Sequence, residues 1–250
     1  MRLFLLLVLA TAFAAGQPVT HYTYKVVKTY PHDPEAFTQG LQYLDGFLYE
    51  GTGLHGRSSL RKVKLETGVV LQKLTLPGQY FGEGIAVIDD QIVQLTWQSQ
   101  VGFVWGLKDF KLRRQFQYKG EGWGLTTDGK HLYFSDGTDV IRVLDGKTFN
   151  EVRRLRVTQD GRPVSELNEL EFIEGEIFAN VWQTDRVVRF SPVDGRVTGS
   201  IDLSGLLSSA ERAGVDVLNG IAYDPAVKRI LVTGKLWPKV FEIRLVPRKR

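Results

Sequence analysis

The chain contains no cysteine, and its one methionine is Met1. That removes a disulfide framework, a thiolate metal site and a cysteine nucleophile together. Histidine is nearly as scarce: His21, His32, His55 and His131 stand singly along the sequence, which argues against a multi-histidine metal centre. There is no Gly-x-Ser-x-Gly elbow and no His-Glu-x-x-His pair. The Gly-x-Gly segments lie in β-rich surroundings with no helix after them, so they do not read as phosphate loops. Chemistry is left to carboxylates, lysine, hydroxyls, amides and aromatic rings.

An excess of one charge sign is also largely missing. The formal charge is +4, but Arg2 falls in the first segment and Arg248, Lys249 and Arg250 form a basic tail, leaving 28 basic against 28 acidic residues. A neutral body with no RNA-binding signature points away from nucleic acid. The one long apolar run, Leu3–Ala15, follows Arg2 and ends in Ala14, Ala15 and Gly16. It is short for a membrane span and has the form of a cleavable export signal. Residues 1–16 are therefore expected to be a signal peptide, with a mature protein that is periplasmic or secreted, outside the membrane and monomeric. Hydrophobic residues at 43% and charged residues at 24% fit a globular body with a core large enough to fold without disulfides.

What the sequence does have is a repeat. Phe37-Thr38-Gln39-Gly40-Leu41 is echoed by Phe81-Gly82-Glu83-Gly84-Ile85, Gly122-Trp123-Gly124-Leu125, Leu167-Asn168-Glu169-Leu170 and Leu218-Asn219-Gly220-Ile221. Anchors at 40, 84, 124, 170 and 220 are spaced by 44, 40, 46 and 50 residues, the length of a four-stranded propeller blade. Each anchor leads to an acidic or Gly-containing turn (Asp45-Gly46, Asp89-Asp90, Asp128-Gly129, Glu174-Gly175, Asp224-Pro225) and then a β-rich run. The last repeat ends early, and the unpaired segment Tyr22–Val27 could complete it. The expected fold is all-β: one five-bladed β-propeller over residues 17–247, closed by its N-terminal strand. Residues 205–213 are read as a short helical insertion, and 248–250 as the tail.

In such a ring, equivalent positions of successive repeats converge. One converging set is Gln39, Glu83, Trp123, Asn168 and Asn219; a second is Glu50, Trp97, Asp136, Trp182 and Lys235. Mixed polar groups between aromatic walls have the character of a pocket rather than of a merely structural repeat. Taken singly, each of Trp97, Trp123 and Trp182 reads more readily as a packing residue than as a site residue.

These motifs carry a resemblance. Phe37-Thr-Gln-Gly40, Tyr80-Phe-Gly-Glu-Gly84, Gly122-Trp-Gly-Leu125, Leu167-Asn-Glu-Leu-Glu171, Asn180-Val-Trp-Gln-Thr-Asp185 and Thr233-Gly-Lys-Leu-Trp-Pro-Lys239 resemble those of the plant-type glutaminyl cyclases, in order, from about Thr20 to Leu245. The resemblance implies a five-bladed propeller, unrelated to the zinc-dependent animal-type cyclases. It would turn the N-terminal glutamine of peptides and proteins into pyroglutamate and ammonia. It also implies Glu83 as general base and acid, Lys235 as partner of the carbonyl oxygen or oxyanion, and Asn168 and Gln39 as groups orienting the substrate. Phe37, Phe81, Trp97, Trp123 and Trp182 would form the aromatic lining. No catalytic cofactor is implied. A structural calcium near the propeller axis is known for plant members, and its ligands cannot be picked out here because backbone carbonyls could supply them. The absence of cysteine points to a bacterial homologue. The alternatives are a non-catalytic propeller that binds peptides or glycans at the same mouth, and a metal-dependent hydrolase of the lactonase type. The amide-rich, tryptophan-rich set disfavours the latter.

Overall fold

The computed structural model describes residues 18–248, so the expected signal peptide and Lys249–Arg250 lie outside it. Every regular element among the described residues is a β-strand. β1 (Thr20–Pro31) comes first. A four-stranded antiparallel sheet follows, formed by β2 (Thr38–Leu44), β3 (Phe47–Thr52), β4 (Ser59–Lys64) and β5 (Val70–Thr75). The second contains β6 (Gly82–Ile88), β7 (Gln91–Thr96), β8 (Val101–Gly106) and β9 (Leu112–Gln117). The third contains β10 (Leu125–Thr127), β11 (His131–Phe134), β12 (Val140–Asp145) and β13 (Glu151–Arg156).

A small hairpin, β14 (Thr158–Gln159) with β15 (Arg162–Pro163), precedes the rest. β16 (Leu167–Ile173), β17 (Glu176–Val181), β18 (Arg186–Phe190) and β19 (Val197–Asp202) then continue the pattern, as do β20 (Leu218–Asp224), β21 (Arg229–Gly234) and β22 (Lys239–Pro247). These last seven strands join β1 in one eight-stranded sheet, ordered β16-β17-β18-β19-β1-β22-β21-β20. β1 runs parallel to β19 over Thr20–Tyr22 and antiparallel to β22 from Tyr22 to Pro31, so both its edges are covered.

Local chemistry explains the hairpins. Asp45 and Gly46 both take positive φ, at 50° and 86°, as do Glu174 and Gly175, at 48° and 89°. Two left-handed residues are what a tight hairpin between right-twisted strands requires. In the three four-stranded sheets burial falls from the first strand to the last. β6 is almost wholly buried, whereas β9 and β13 are mostly exposed and carry Arg113, Arg114, Arg153, Arg154 and Arg156, charges that protect an open edge.

The apolar core lies between sheets. Tyr49 and Leu60 of the first pack with Ile85, Ile92 and Phe103 of the second. Ala86 and Val93 meet Leu125, Leu132 and Phe134 of the third. Tyr133 and Ile141 meet Leu170, Ile177 and Phe190. Ala222, Leu231 and Val240 return to Leu41 and Leu48 of the first sheet.

The segment 205–213 is not helical: it is a run of turns. A helix start is nevertheless built, because Ser208 and Glu211 form a reciprocal capping box, with Glu211 N donating to Ser208 Oγ at 3.3 Å and Ser208 N to Glu211 Oε2 at 3.0 Å. One helical bond follows, Arg212 N to Ser208 O, before Gly214 enters the left-handed region at φ 88° and ends the turn. The tail also begins more ordered than expected. Arg248 donates from its backbone to His21 O and from its guanidinium to Asp202.

Candidate active site

The first strands of four strand groups share one irregularity, and it builds the site. Pairing registers slip between Thr38 and Gly40, Gly82 and Ile85, Leu167 and Leu170, and Leu218 and Ile221. A bulge re-aims a side chain and frees a backbone group from the ladder. Gln39, Glu83, Asn168 and Asn219 each sit in one of these slips. The freed amides find partners on or beside other inner strands: Gly84 N donates to Trp123 O at 2.7 Å, and Leu41 N and Ile221 N donate to the two carboxylate oxygens of Glu169. The repeat's glycines follow from this crowding. A Cβ on Gly84 would lie 2.6 Å from Trp123 O, and one on Gly40 only 2.4 Å from Ile85 N.

A cavity of about 230 Å³ opens above these bulges, lined by Phe37, Gln39, Phe81, Glu83, Trp97, Trp123, Asn168, Trp182 and Lys235. The structure thus brings together all nine residues singled out as catalytic or substrate-binding. Glu83, 4% exposed, accepts a hydrogen bond from Gln39 Nε2 at 2.8 Å. Gln39 is steadied in turn by Asn219 Nδ2, 3.3 Å from its Oε1. Asn219 therefore lies beneath the cavity and supports it. Burial pushes the Glu83 carboxyl well above its ordinary range; the Lys235 charge and the Gln39 bond offset part of that, while the Glu121 charge adds to it.

Lys235 is equally buried, with Nζ 4.9 Å from the centre of the Phe37 ring. Burial lowers its proton affinity, against the attraction of Glu83 and Asp216. The buried Oδ1 of Asn168 has no partner and is free to accept one from a ligand. The wall is a chain of edge-on rings: Phe37 meets Phe81 at 6.0 Å, Phe81 meets Trp97 at 5.6 Å, and Trp123 meets Trp182 at 5.4 Å.

Two residues of the second converging set lie elsewhere. Trp97, Trp182 and Lys235 each follow the last residue of a strand, and Trp97 N donates to Phe81 O. In the first sheet the residue in that position is Gly53, whose N donates to Phe37 O; Glu50 falls three residues too early. Glu50 is instead sealed in a cluster where it accepts from Thr38 Oγ1 at 2.7 Å, His32 Nε2 at 3.0 Å and Arg61 at 3.2 Å. Asp136 stands one residue beyond that position, after Ser135, and its carboxylate folds back onto Thr138 in a local turn.

Sequence reasoning gave no role to three further carboxylates. Glu121, in the connection between β9 and β10, accepts from Trp97 Nε1 at 2.7 Å and Trp123 Nε1 at 2.9 Å. Glu169 and Glu171 project from β16 toward the axis, where burial raises both carboxyls, Glu171 to about 8. The alternation in Leu167-Asn-Glu-Leu-Glu171 was the visible signal, since polar residues every second position on an inner strand must face the axis together. These two carboxylates do not make a calcium set. Their oxygens accept hydrogen bonds from Leu41 N, Ile221 N, Tyr223 N and Thr126 Oγ1, and no group of three or more His, Asp or Glu converges among the described residues.

Buried carboxyl, lysine and amides inside an aromatic cavity at the meeting point of several β-sheets define an enzyme-like site on a propeller-like frame. The comparisons agree. A family model described as "Glutamine cyclotransferase" matches residues 2–245. The chain is 46% identical over 227 residues to the glutaminyl-peptide cyclotransferase of Arabidopsis thaliana, covering 88% of this chain and 71% of that protein. Among solved structures, the glutaminyl cyclase of Myxococcus xanthus superposes with a TM-score of 0.84 at 35% identity, covering 92% of this chain and all of the other. The WD40 β-propeller domain of Doa1 (TM-score 0.50, 14% identity, 82% of this chain and 62% of that one) shares the fold alone. The chain belongs to the glutamine cyclotransferase family, enzymes of the glutaminyl-peptide cyclotransferase class.

Proposed function

We propose that the aromatic cavity takes the N-terminal glutamine of a peptide or protein and closes it to pyroglutamate, with Glu83 moving the proton. The observation that carries this reading is Glu83 itself, a carboxyl buried in an aromatic cavity and held by Gln39 at 2.8 Å. At 230 Å³ the space is below the roughly 300–1,000 Å³ of pockets for drug-sized ligands, which suits one residue with the rest of the chain outside.

The bond formed joins the substrate α-nitrogen to its own side-chain Cδ; the bond broken is Cδ–Nε. Folding the side chain back between the rings supplies the proximity such a closure needs. Glu83, as carboxylate, takes the proton that the α-amine loses on attack and gives it to the departing nitrogen, which leaves as ammonia. Its raised proton affinity suits it to both halves of that exchange. Lys235 Nζ stabilises the oxyanion of the tetrahedral intermediate. Asn168 Oδ1, having no partner of its own, accepts from the substrate amine or amide. No step is routed through a metal.

The frame we infer is a five-bladed propeller over residues 17–247. The eight-stranded sheet divides naturally into β16–β19 and a final group, β20–β22, to which β1 supplies the fourth strand. Export after removal of residues 1–16, to the periplasm or the exterior, and action as a monomer away from membranes and nucleic acid complete the reading. The test is direct: incubate the protein with a glutamine-initiated peptide and follow ammonia and the lactam product. Glu83→Gln should fold normally and lose turnover by at least ~10²-fold. Full activity in that variant overturns the acid–base assignment.

A further inference from the structure

Glu121 does not line the cavity, yet it joins the two halves of its wall. One oxygen, Oε2, receives the indole N–H of Trp97 at 2.7 Å and of Trp123 at 2.9 Å, while Oε1 receives Gln98 Nε2 at 2.9 Å. Trp97 ends the ring series that runs through Phe81 to Phe37, and Trp123 begins the pair with Trp182. Apart from this carboxylate, no hydrogen bond of either indole N–H is seen among the described residues. Two indoles from different sheets, Trp97 after β7 and Trp123 before β10, are thus pinned to a single atom. Bonds to an ionised acceptor are stronger and more directional than neutral ones, so the separation of the two rings is set by this carboxylate.

We propose that Glu121 is a positioning residue for the cyclisation: it fixes the aperture between Trp97 and Trp123 and sets the electrostatic field in which Glu83 works. This rests on the function proposed above. Burial alone would push the Glu121 carboxyl up, but the bonds from Gln98, Trp123 and Trp97 outweigh it and hold the group ionised. Its negative charge reaches Glu83 and favours the protonated form there, opposing Lys235. Glu121 therefore has two separable actions, one through hydrogen bonds and one through charge.

Two variants of the full chain separate them. Glu121→Gln keeps a carbonyl oxygen able to accept both indole N–H groups and removes the charge, its new NH2 donating to the Gln98 carbonyl once that exposed amide turns over. The acid limb of kcat/KM should move to lower pH by roughly half a unit or more, with KM near that of wild type. Glu121→Ala releases both indoles and should raise KM for a glutamine-initiated peptide ~10-fold or more, with a smaller change in kcat. The proposal stands only if both shifts are seen. A wild-type acid limb in Glu121→Gln, or a wild-type KM in Glu121→Ala, overturns it. An inactive wild-type protein would instead refute the proposed function. In that case tryptophan emission decides whether the indoles are pinned: Glu121→Ala should change it and Glu121→Gln should not, and identical spectra in all three proteins overturn the inference.

Discussion

Glu50→Gln offers the sharpest test of what holds the first sheet to the last. Glu50 is 1% exposed and accepts from Thr38, His32 and Arg61, while Arg61 also pairs with Asp33 at 2.6 Å. His32 Nδ1 lies 2.7 Å from the backbone carbonyl of Trp237 and Nε2 lies 3.0 Å from Glu50. Both partners are acceptors, so the ring donates from both nitrogens and is an imidazolium. Burial opposes that charge, but Glu50 and the Trp237 carbonyl prevail and raise the proton affinity of His32. For Glu50 burial is likewise outweighed, first by Arg61 and then by His32, and its carboxyl falls from 4.5 to about 2. A fall of that size corresponds to about 3 kcal/mol of folding stability.

A depressed carboxyl contributes stability that is present above its unfolded value and lost as pH falls through its folded value. The contribution should therefore be whole above about 4.5 and vanish near 2. Removing the charge at neutral pH leaves the buried His32 cation with a neutral partner and Arg61 with Asp33 alone, at a cost of about 3–5 kcal/mol. Urea unfolding of both proteins, repeated from pH 7 to pH 2, measures the gap between them. Taking the difference cancels the other acid-labile groups. The gap should be largest above pH 5 and shrink toward zero by pH 2. A gap below about 1 kcal/mol at pH 7, or one that does not change with pH, refutes the ionised cluster.

Three further outcomes follow from the site and the axis. Lys235→Met removes the charge that offsets Glu83, so kcat should fall ~10²-fold and the acid limb should move to higher pH, opposite to Glu121→Gln; a pH–rate profile checks both. Gly84→Ala sets a Cβ 2.6 Å from Trp123 O and should destabilise the fold by about 2–4 kcal/mol, read as a fall in urea midpoint. Glu171 has a raised carboxyl, so the stability it supports is full below 4.5 and declines as pH rises toward about 8. Glu171→Gln should therefore gain on wild type by on the order of a few kcal/mol between those limits, and a constant difference in thermal midpoint across them would count against a neutral Glu171.

Much of this molecule can be read from its sequence because the repeat states the same problem again and again. Gly40 and Gly84 mark where inner strands come too close for a side chain and Gly220 takes a positive φ of 124°, and Gln39, Glu83 and Asn219 stand beside those marks. Glu50 falls outside the site because a place near the end of a second strand does not fix the register, which is set by which amide closes onto Phe37 O or Phe81 O. Glu121 was invisible for a different reason: it precedes Gly122-Trp123 in a connection and acts through indole nitrogens from two sheets. The helix expected at 205–213 failed at its far end, since a sound capping box followed by Gly214 makes one turn and stops.

The ring of sheets distributes the proposed reaction centre over the whole length of the chain. Gln39 comes from the beginning and Lys235 from near the end, and Glu83 and Asn168 come from two sheets between them. Such a centre has no local precursor, because contacts of this sequence separation form late. No single repeat or contiguous half of the polypeptide holds a working subset. A nascent or nicked chain can keep several intact sheets and still lack a reaction centre. Turnover in this enzyme therefore reports completed assembly, and the recovery of activity on refolding should lag the recovery of β-structure.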